Sequence, residues 1–590
     1  MRITMLAAVS VAALFFASPA VAQTVSGCGT ATIPNADANS VTKLSTQITC
    51  LTKAGAAASN AVADRQTRVK AITTGPVPVP TPTPTPTPKP SPAPTPTPVP
   101  PPTTAATPAP IATGPRFEVG INVASTVYYG SERIFANLAE GAGGWRDTTA
   151  GWGGTAPAKL GANGFPIVDG QAFSLVAPRQ VWAGRAATIT CTWEGDGQLR
   201  FDGMARGLLP QSGASFTVSG FNRSKDGFPN LTLFLSGVNA TKPFGALDCR
   251  EAGVQAVGQF EKTYVDEMAA FKVLRFLDWS NTNGNPASVT LANRGKPGRG
   301  GADGNAIETQ IDLANAAGTD AWFTIAYNAD EAYVRAMGEL ARDRLAKGHR
   351  AYFELSNEVW NFGFPVAGQA LNEGLAQVPP LSADKFSNNP LRYAQKAIAF
   401  HKILTDVFKG DSSRLVRVVA SQSDNSWSAR TILAFPGLTD WIDALAIAPY
   451  FGHSFFSAPD DKPTMADLDR LFAKLETNRV NSIGRVRENK AVADKYGKRL
   501  IAYEGGQHII PNNPAAQNEV YAAMQRDPRM GLLYDRYFAD WKAITPDLFT
   551  VYSATGAISQ YGAWGIREYA GQPISETPKR RAVLDAISAR

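Results

Sequence analysis

RAYFELSNEVWN, residues 350–361, runs an apolar strand straight into Asn357 and Glu358, then into Trp360 and Asn361. A core strand does not end on an unpaired carboxylate, because a buried charge without a partner is strongly unfavourable. A surface turn has no use for a tryptophan at that point. The stretch therefore reads as a strand whose C-terminal end opens into a site.

Seven further runs share its character: FEVGINV (117–123), KVLRFLD (272–278), AWFTIAY (321–327), LVRVVAS (415–421), ALAIAPY (444–450), RLIAYEG (499–505) and LFTVYSA (548–554). Amphipathic segments separate them, such as DEAYVRAMGELARDRLAK at 330–347, with apolar residues at helical spacing. Eight such units predict an α/β fold, a (β/α)8 barrel over residues 115–590. The interval after the first run, about 150 residues, is too long for one crossover. It carries period-two patterns instead, in ATITCTW (187–193), SFTVSG (215–220) and NLTLFLSGV (230–238). Short strands between glycine-rich turns predict an inserted β-sandwich over 165–250.

The segment before the barrel divides in three. Residues 1–22, with Arg2, an apolar run and Ala20-Val21-Ala22, read as a secretory signal peptide, so the chain is expected to be secreted. Residues 23–75 carry a heptad register from Val41 to Ile72, weakened by Gly55 and Arg65. They predict either a coiled coil giving a weak homo-oligomer or a local helical hairpin. Residues 76–114 are a Pro/Thr-rich linker, with 17 prolines in the 35 positions 76–110. Export makes the four cysteines disulfide partners, and local pairing, Cys28 with Cys50 and Cys191 with Cys249, is preferred among three connectivities. None has the CxxC spacing of a zinc site. The net charge of +7, 57 Lys and Arg against 50 Asp and Glu, is spread along the chain. It gives no case for nucleic acid or membrane partners, and no apolar run after the leader is long enough to span a bilayer.

Barrel enzymes carry their chemistry at the C-terminal ends of the strands. Glu358 follows the fourth strand and Glu504 the seventh, so two carboxylates can face one another across the barrel mouth. One carboxyl that protonates a leaving oxygen, opposite one that attacks an anomeric carbon, is the equipment of a glycosidase. Asn357-Glu358 and Glu504 resemble the motifs of the retaining glycoside hydrolases of the large (β/α)8 clan. The wording ELSNEVWN is also similar to exported bacterial proteins loosely termed cellulase-like or cellulose-binding. The likeness covers roughly residues 115–575 and implies Glu358 as acid/base and Glu504 as nucleophile. Arg275 on the second strand and Tyr450 after the sixth are suited to keep Glu504 ionised, although a structural ion pair with Asp278 or Glu504, or simple packing, would also explain them. Asn357 is expected to hold a sugar hydroxyl.

Many members carry a histidine where this chain has Ala448, two residues before Tyr450. His453 and His508 are the candidates to compensate. Trp564 resembles the family's sugar-stacking platform, with a core tryptophan as the other reading. Trp360 and Trp279 are placed to widen that platform. A glycine-rich loop at 295–305 and turns carrying Trp145 and Trp152 are candidates for the cleft edge. Glycosidase chemistry needs no metal or cofactor, and the chain has no motif for one. The partner is expected to be a carbohydrate substrate, and the competing reading is a non-catalytic carbohydrate-binding protein on the same fold.

Overall fold

The computed structural model describes residues 117–588 except 141–142, 149–157, 176–180, 184, 219–229, 298–303, 454 and 457–461. The leader, the 41–72 heptads, the Cys28–Cys50 pairing, the linker and Trp152 lie outside the described residues.

The chain enters the barrel through β1 (Val119–Asn122) and leaves it at once. Seven strands follow: β2 (Gly143–Asp147), β3 (Gln171–Leu175), β4 (Ala187–Glu194), β5 (Gln198–Gly203), β6 (Ser215–Val218), β7 (Leu231–Ser236) and β8 (Gly245–Glu251). They form two antiparallel sheets, ordered β2-β3-β7-β5 and β6-β4-β8. The first of these strands, Gly143–Asp147, lies ahead of residue 165, so the all-β insert starts earlier than the sequence pattern suggested. Its polar-rich GGWRD has no alternation to announce it. Strand β4 does alternate, with Ala187, Ile189 and Cys191 buried between exposed or half-exposed threonines. Their side chains meet Phe201, Leu233 and Phe244 in a core separate from that of the barrel.

Cys191 and Cys249 are directly paired across β4 and β8 and joined by a disulfide, closing a separation of 58 residues. A loop of that length corresponds to about 4 kcal/mol of denatured-state entropy. The Cys191→Ala/Cys249→Ala double variant is expected to lose a stabilisation of that order, read as a lower urea midpoint of the insert.

A short hairpin, β9 (Ala256–Val257) and β10 (Phe260–Glu261), leads back to the barrel. The remaining strands are β11 (Val273–Arg275), β12 (Asp320–Ile325), β13 (Ala351–Leu355), β14 (Leu415–Ser421), β15 (Ala444–Ile447), β16 (Arg499–Ala502) and β17 (Phe549–Val551). With β1 they close a barrel in that order, every pair parallel. Nearly every strand residue is buried, which is why the runs read as continuously apolar rather than alternating. One set of side chains, including Trp322, Tyr352, Val418, Ala446 and Ile501, fills the interior. The outward set packs under the surrounding helices, among them Ile307–Ala317, Glu331–Arg344, Asn388–Val407, Leu468–Lys495 and Pro528–Ile544. Helix ends follow local chemistry: Asp330 accepts from the Tyr333 amide at one N-terminus, and Gly318, at φ +67°, closes the preceding helix. No helix of the described residues is long and apolar enough to cross a membrane.

Candidate active site

Arg275 ends β11 inside the barrel and is completely buried. An arginine there must find acceptors, and it finds four. Its Nη1 donates to Glu504 Oε1 at 2.7 Å and to Asn122 Oδ1 at 3.0 Å. Its Nη2 donates to Asn357 Oδ1 and to Glu354 Oε2, both at 2.9 Å, and Nε reaches the same Glu354 oxygen at 3.2 Å. The side chains therefore converge from the C-terminal ends of β1, β11, β13 and β16. Asp278, the other acid considered for Arg275, instead accepts from Ser125 Oγ at 2.6 Å and from Tyr552.

Glu504 follows β16 and receives a second donor, the Tyr450 hydroxyl, at 2.8 Å from Oε2. Its position depends on the next residue. A Cβ on Gly505 would collide with the Phe549 ring of β17, so only glycine lets the chain pass there. Glu358 lies just beyond β13 at φ +43°, with Ser356 at φ +61°. Left-handed backbone at two non-glycine residues costs of order 1 kcal/mol or more each, and such strain gathers at functional sites. Glu358 Oε1 accepts from the Tyr503 hydroxyl at 3.0 Å and Oε2 from Asn361 Nδ2 at 2.7 Å. Asn357 Nδ2 is held in turn by Asn283 Oδ1 at 2.9 Å.

One cation thus bonds two buried carboxyls, Glu504 and Glu354, and none of its N–H groups reaches the third, Glu358. Burial, then the charge of Glu358, push Glu504 up to about 8 against the pull of Arg275 and Tyr450. Burial also raises Glu358 and Glu354. The sequence reading had Glu504 kept ionised by Arg275 and Tyr450; enclosure and its acidic neighbour work against those two donors. The two glutamates act as one titrating pair, with a proton between them near neutral pH. The cation and the phenol stand at Glu504, while Glu358 meets only neutral donors. The charge therefore belongs on Glu504 and the proton on Glu358.

Around Tyr450 is a cluster of rings. His508 stacks on His453 with centroids 4.2 Å apart and lies 5.1 Å from Tyr450 and 5.5 Å from Trp564. Neither histidine is a solvated loop residue: His508 is buried and His453 half-buried. Burial, then the charge of His453, take His508 down to about 3, and burial also lowers His453, so both are neutral. Trp564 is half-buried and packs against the barrel-interior cluster with Tyr552. Trp360 is half-buried beside Glu358 in sequence, and its indole N–H is buried without a protein acceptor. Trp279 is corrected. It is fully buried, donates to the Ala124 carbonyl at 2.8 Å and packs on Phe135 and Phe276, so it cannot present a face to a ligand.

Four participants escaped the sequence reading: Asn122, Glu354, Asn361 as a partner of Glu358, and Tyr503. For Glu354 a signal existed, since a carboxylate in a run buried on both faces demands a cation. No cluster of three or more His, Cys, Asp and Glu arranged for a metal occurs among the described residues.

No protein-family model matches this chain, and no curated protein matches it. It is similar to the solved GH51 arabinofuranosidase of Xanthomonas axonopodis pv. citri at 15% identity, covering 57% of this chain and 68% of that one, with TM-score 0.37. It is similar to a GH5-4 broad-specificity endoglucanase from an uncultured bacterium at 14% identity, 55% and 84% coverage and TM-score 0.31. For a modular endo-β-1,4-mannanase from Cellulomonas fimi the values are 14%, 53% and 63%, with TM-score 0.30.

Proposed function

We propose that this chain is an exported glycoside hydrolase that cleaves a poly- or oligosaccharide with retention of anomeric configuration. The observation that carries the reading is the unequal provision for two facing carboxyls: Arg275 and Tyr450 on Glu504, neutral donors only on Glu358.

In the first step the Glu358 proton passes to the glycosidic oxygen as the bond from that oxygen to the anomeric carbon breaks. Glu504 attacks the same carbon from the opposite face and forms a glycosyl ester. Its negative charge is consumed, so Arg275 then faces one carboxylate fewer, and Glu358 is left ionised. In the second step Glu358 takes a proton from water, the hydroxide oxygen bonds to the anomeric carbon, and the ester to Glu504 breaks. Asn357, fixed between Arg275 and Asn283, is placed to hold the hydroxyl beside the reacting carbon. Retention requires the two carboxyls roughly 5–5.5 Å apart, and their mutual charge effect is in keeping with close approach.

The test is a screen of the purified protein against plant and bacterial polysaccharides, with the anomer of the first product followed by NMR. Binding without cleavage would favour the non-catalytic carbohydrate-binding reading. For the roles, Glu358→Ala should keep its first step on aryl glycosides with good leaving groups and stall on natural ones. Azide should restore part of its turnover and yield a glycosyl azide of retained configuration. The same product from Glu504→Ala, and not from Glu358→Ala, would reverse the assignment.

A further inference from the structure

A cavity of about 1000 Å³ lies between the inserted sandwich and the loop that follows β11. It is at the upper end of the ~300–1,000 Å³ usual for small-molecule sites, more than one sugar ring needs. Its barrel wall includes Ser280 and Asn281 after β11 and Thr324 to Ala326 at the end of β12. It therefore opens on the same C-terminal rim as Glu358 and Glu504. The same loop carries Asn283, which holds Asn357, so one segment borders both places.

The insert supplies the other wall. Trp145 on β2 and Phe165 present aromatic surface, with Asn163 beside them, and Glu140 and Asp248 add two carboxyls. Trp145 and Phe165 are each only partly buried, and both lean edge-on against Phe244 of the sandwich core, which fixes them. Aromatic faces bordered by amides and carboxyls match the alternation of C–H and hydroxyl surface on a sugar.

The charges argue for a neutral ligand. Asp248 is paired to Arg250 at 2.9 Å, and on the facing wall Arg294 is paired to Glu308. That leaves Glu140 against an exposed Lys296. Burial, then Asp248, push Glu140 up to about 7, so near neutrality it can donate as well as accept. A polyuronate would bring its carboxylates against Glu140 and Asp248.

We propose that this cavity binds the extended part of a neutral glycan chain, making the enzyme endo-acting with the inserted sandwich as one wall of its cleft. The inference rests on the glycosidase reading but is tested by binding as well as turnover. Cellohexaose, mannohexaose and xylohexaose are titrated calorimetrically into the full-length Glu504→Gln protein, with hexagalacturonate as the anionic contrast. One neutral hexasaccharide should bind, and Trp145→Ala in that background should weaken it at least about tenfold. Because Trp145 also packs on Phe244, Glu140→Gln serves as the isosteric second variant and should weaken the same ligand severalfold. In the otherwise unaltered enzyme kcat/KM should climb with chain length from two to six residues, and Trp145→Ala should flatten that climb through KM. Preference for hexagalacturonate, no binding of any hexasaccharide, or a length dependence untouched by both variants would overturn the proposal. Binding that depends on Trp145 without hydrolysis of any chain would sink the glycosidase reading and leave the glycan site standing.

Discussion

Glu504→Gln is expected to remove turnover of every substrate, by roughly ten-thousandfold or more in kcat, while leaving a folded and no less stable protein. The amide cannot form the glycosyl ester, and no neighbour can replace it, because Glu354 is tied to Arg275 and Trp322 deep in the barrel. Stability has the opposite sign for a stated reason. The carboxyl of Glu504 is raised to about 8, above the ~4.3 of an unfolded chain. Between those values the Glu358–Glu504 pair of the folded protein holds a proton, carried on Glu358, that the unfolded chain has released, so the pair's contribution declines as pH rises through that window. Glutamine does not titrate. The melting temperature of Glu504→Gln relative to the parent should therefore increase from pH 5 to pH 8. In the parent, kcat/KM should fall as pH passes about 8, since both carboxyls of the pair are then ionised and no proton remains for the leaving oxygen. Retained turnover in Glu504→Gln would refute the assignment, and a melting difference independent of pH would refute the charge state.

Each barrel strand was legible because a strand buried on both faces must be apolar throughout, and Glu358 and Glu504 were legible because they break that rule at strand ends. The rest of the cluster hid for physical reasons. Tyr503 counts as apolar in a hydropathy pattern, and nothing local says that its hydroxyl will cross the barrel to Glu358. Asn122 looks like the polar end of a strand, yet its amide bonds the carbonyls of Tyr503 and Val551 while its oxygen receives Arg275. Such contacts span hundreds of residues and depend on barrel closure, which spacing does not encode. Trp279 failed in the other direction. Its place just past a strand end suggested a platform, but the 3-10 turn Leu277–Trp279 directs it into the core. The insert's first strand was missed because Gly143, Gly144, Arg146 and Asp147 give it no β signature.

Arg275→Met is expected to cost about 3–5 kcal/mol of stability at pH 8, the loss seen when one partner of a buried ion pair is removed. Here the deficit falls on two carboxyls. Glu354, fully buried, keeps only the Trp322 N–H at 3.0 Å on its bonded oxygen, and its other oxygen already has no partner. Glu504 keeps only Tyr450. Without the cation both carboxyls take up protons at higher pH than in the parent, so the penalty should be smaller at pH 5 than at pH 8, and urea unfolding at the two values reads the difference directly. Arg275→Lys keeps the charge but not the reach. An ammonium is a point donor and cannot serve four acceptors arriving from three strands at once. It should recover much of the stability and little of the turnover, with the loss in kcat rather than KM, since what it fails to fix is the orientation of Glu504. The double variant Arg275→Met/Glu354→Leu separates the two parts of the role. Replacing the buried pair by apolar groups of similar size should restore stability beyond that of Arg275→Met alone, yet leave the enzyme inactive. If Arg275→Met were as stable as the parent at both pH values, the convergence of Asn122, Glu354, Asn357 and Glu504 on this guanidinium would not be what holds the site together.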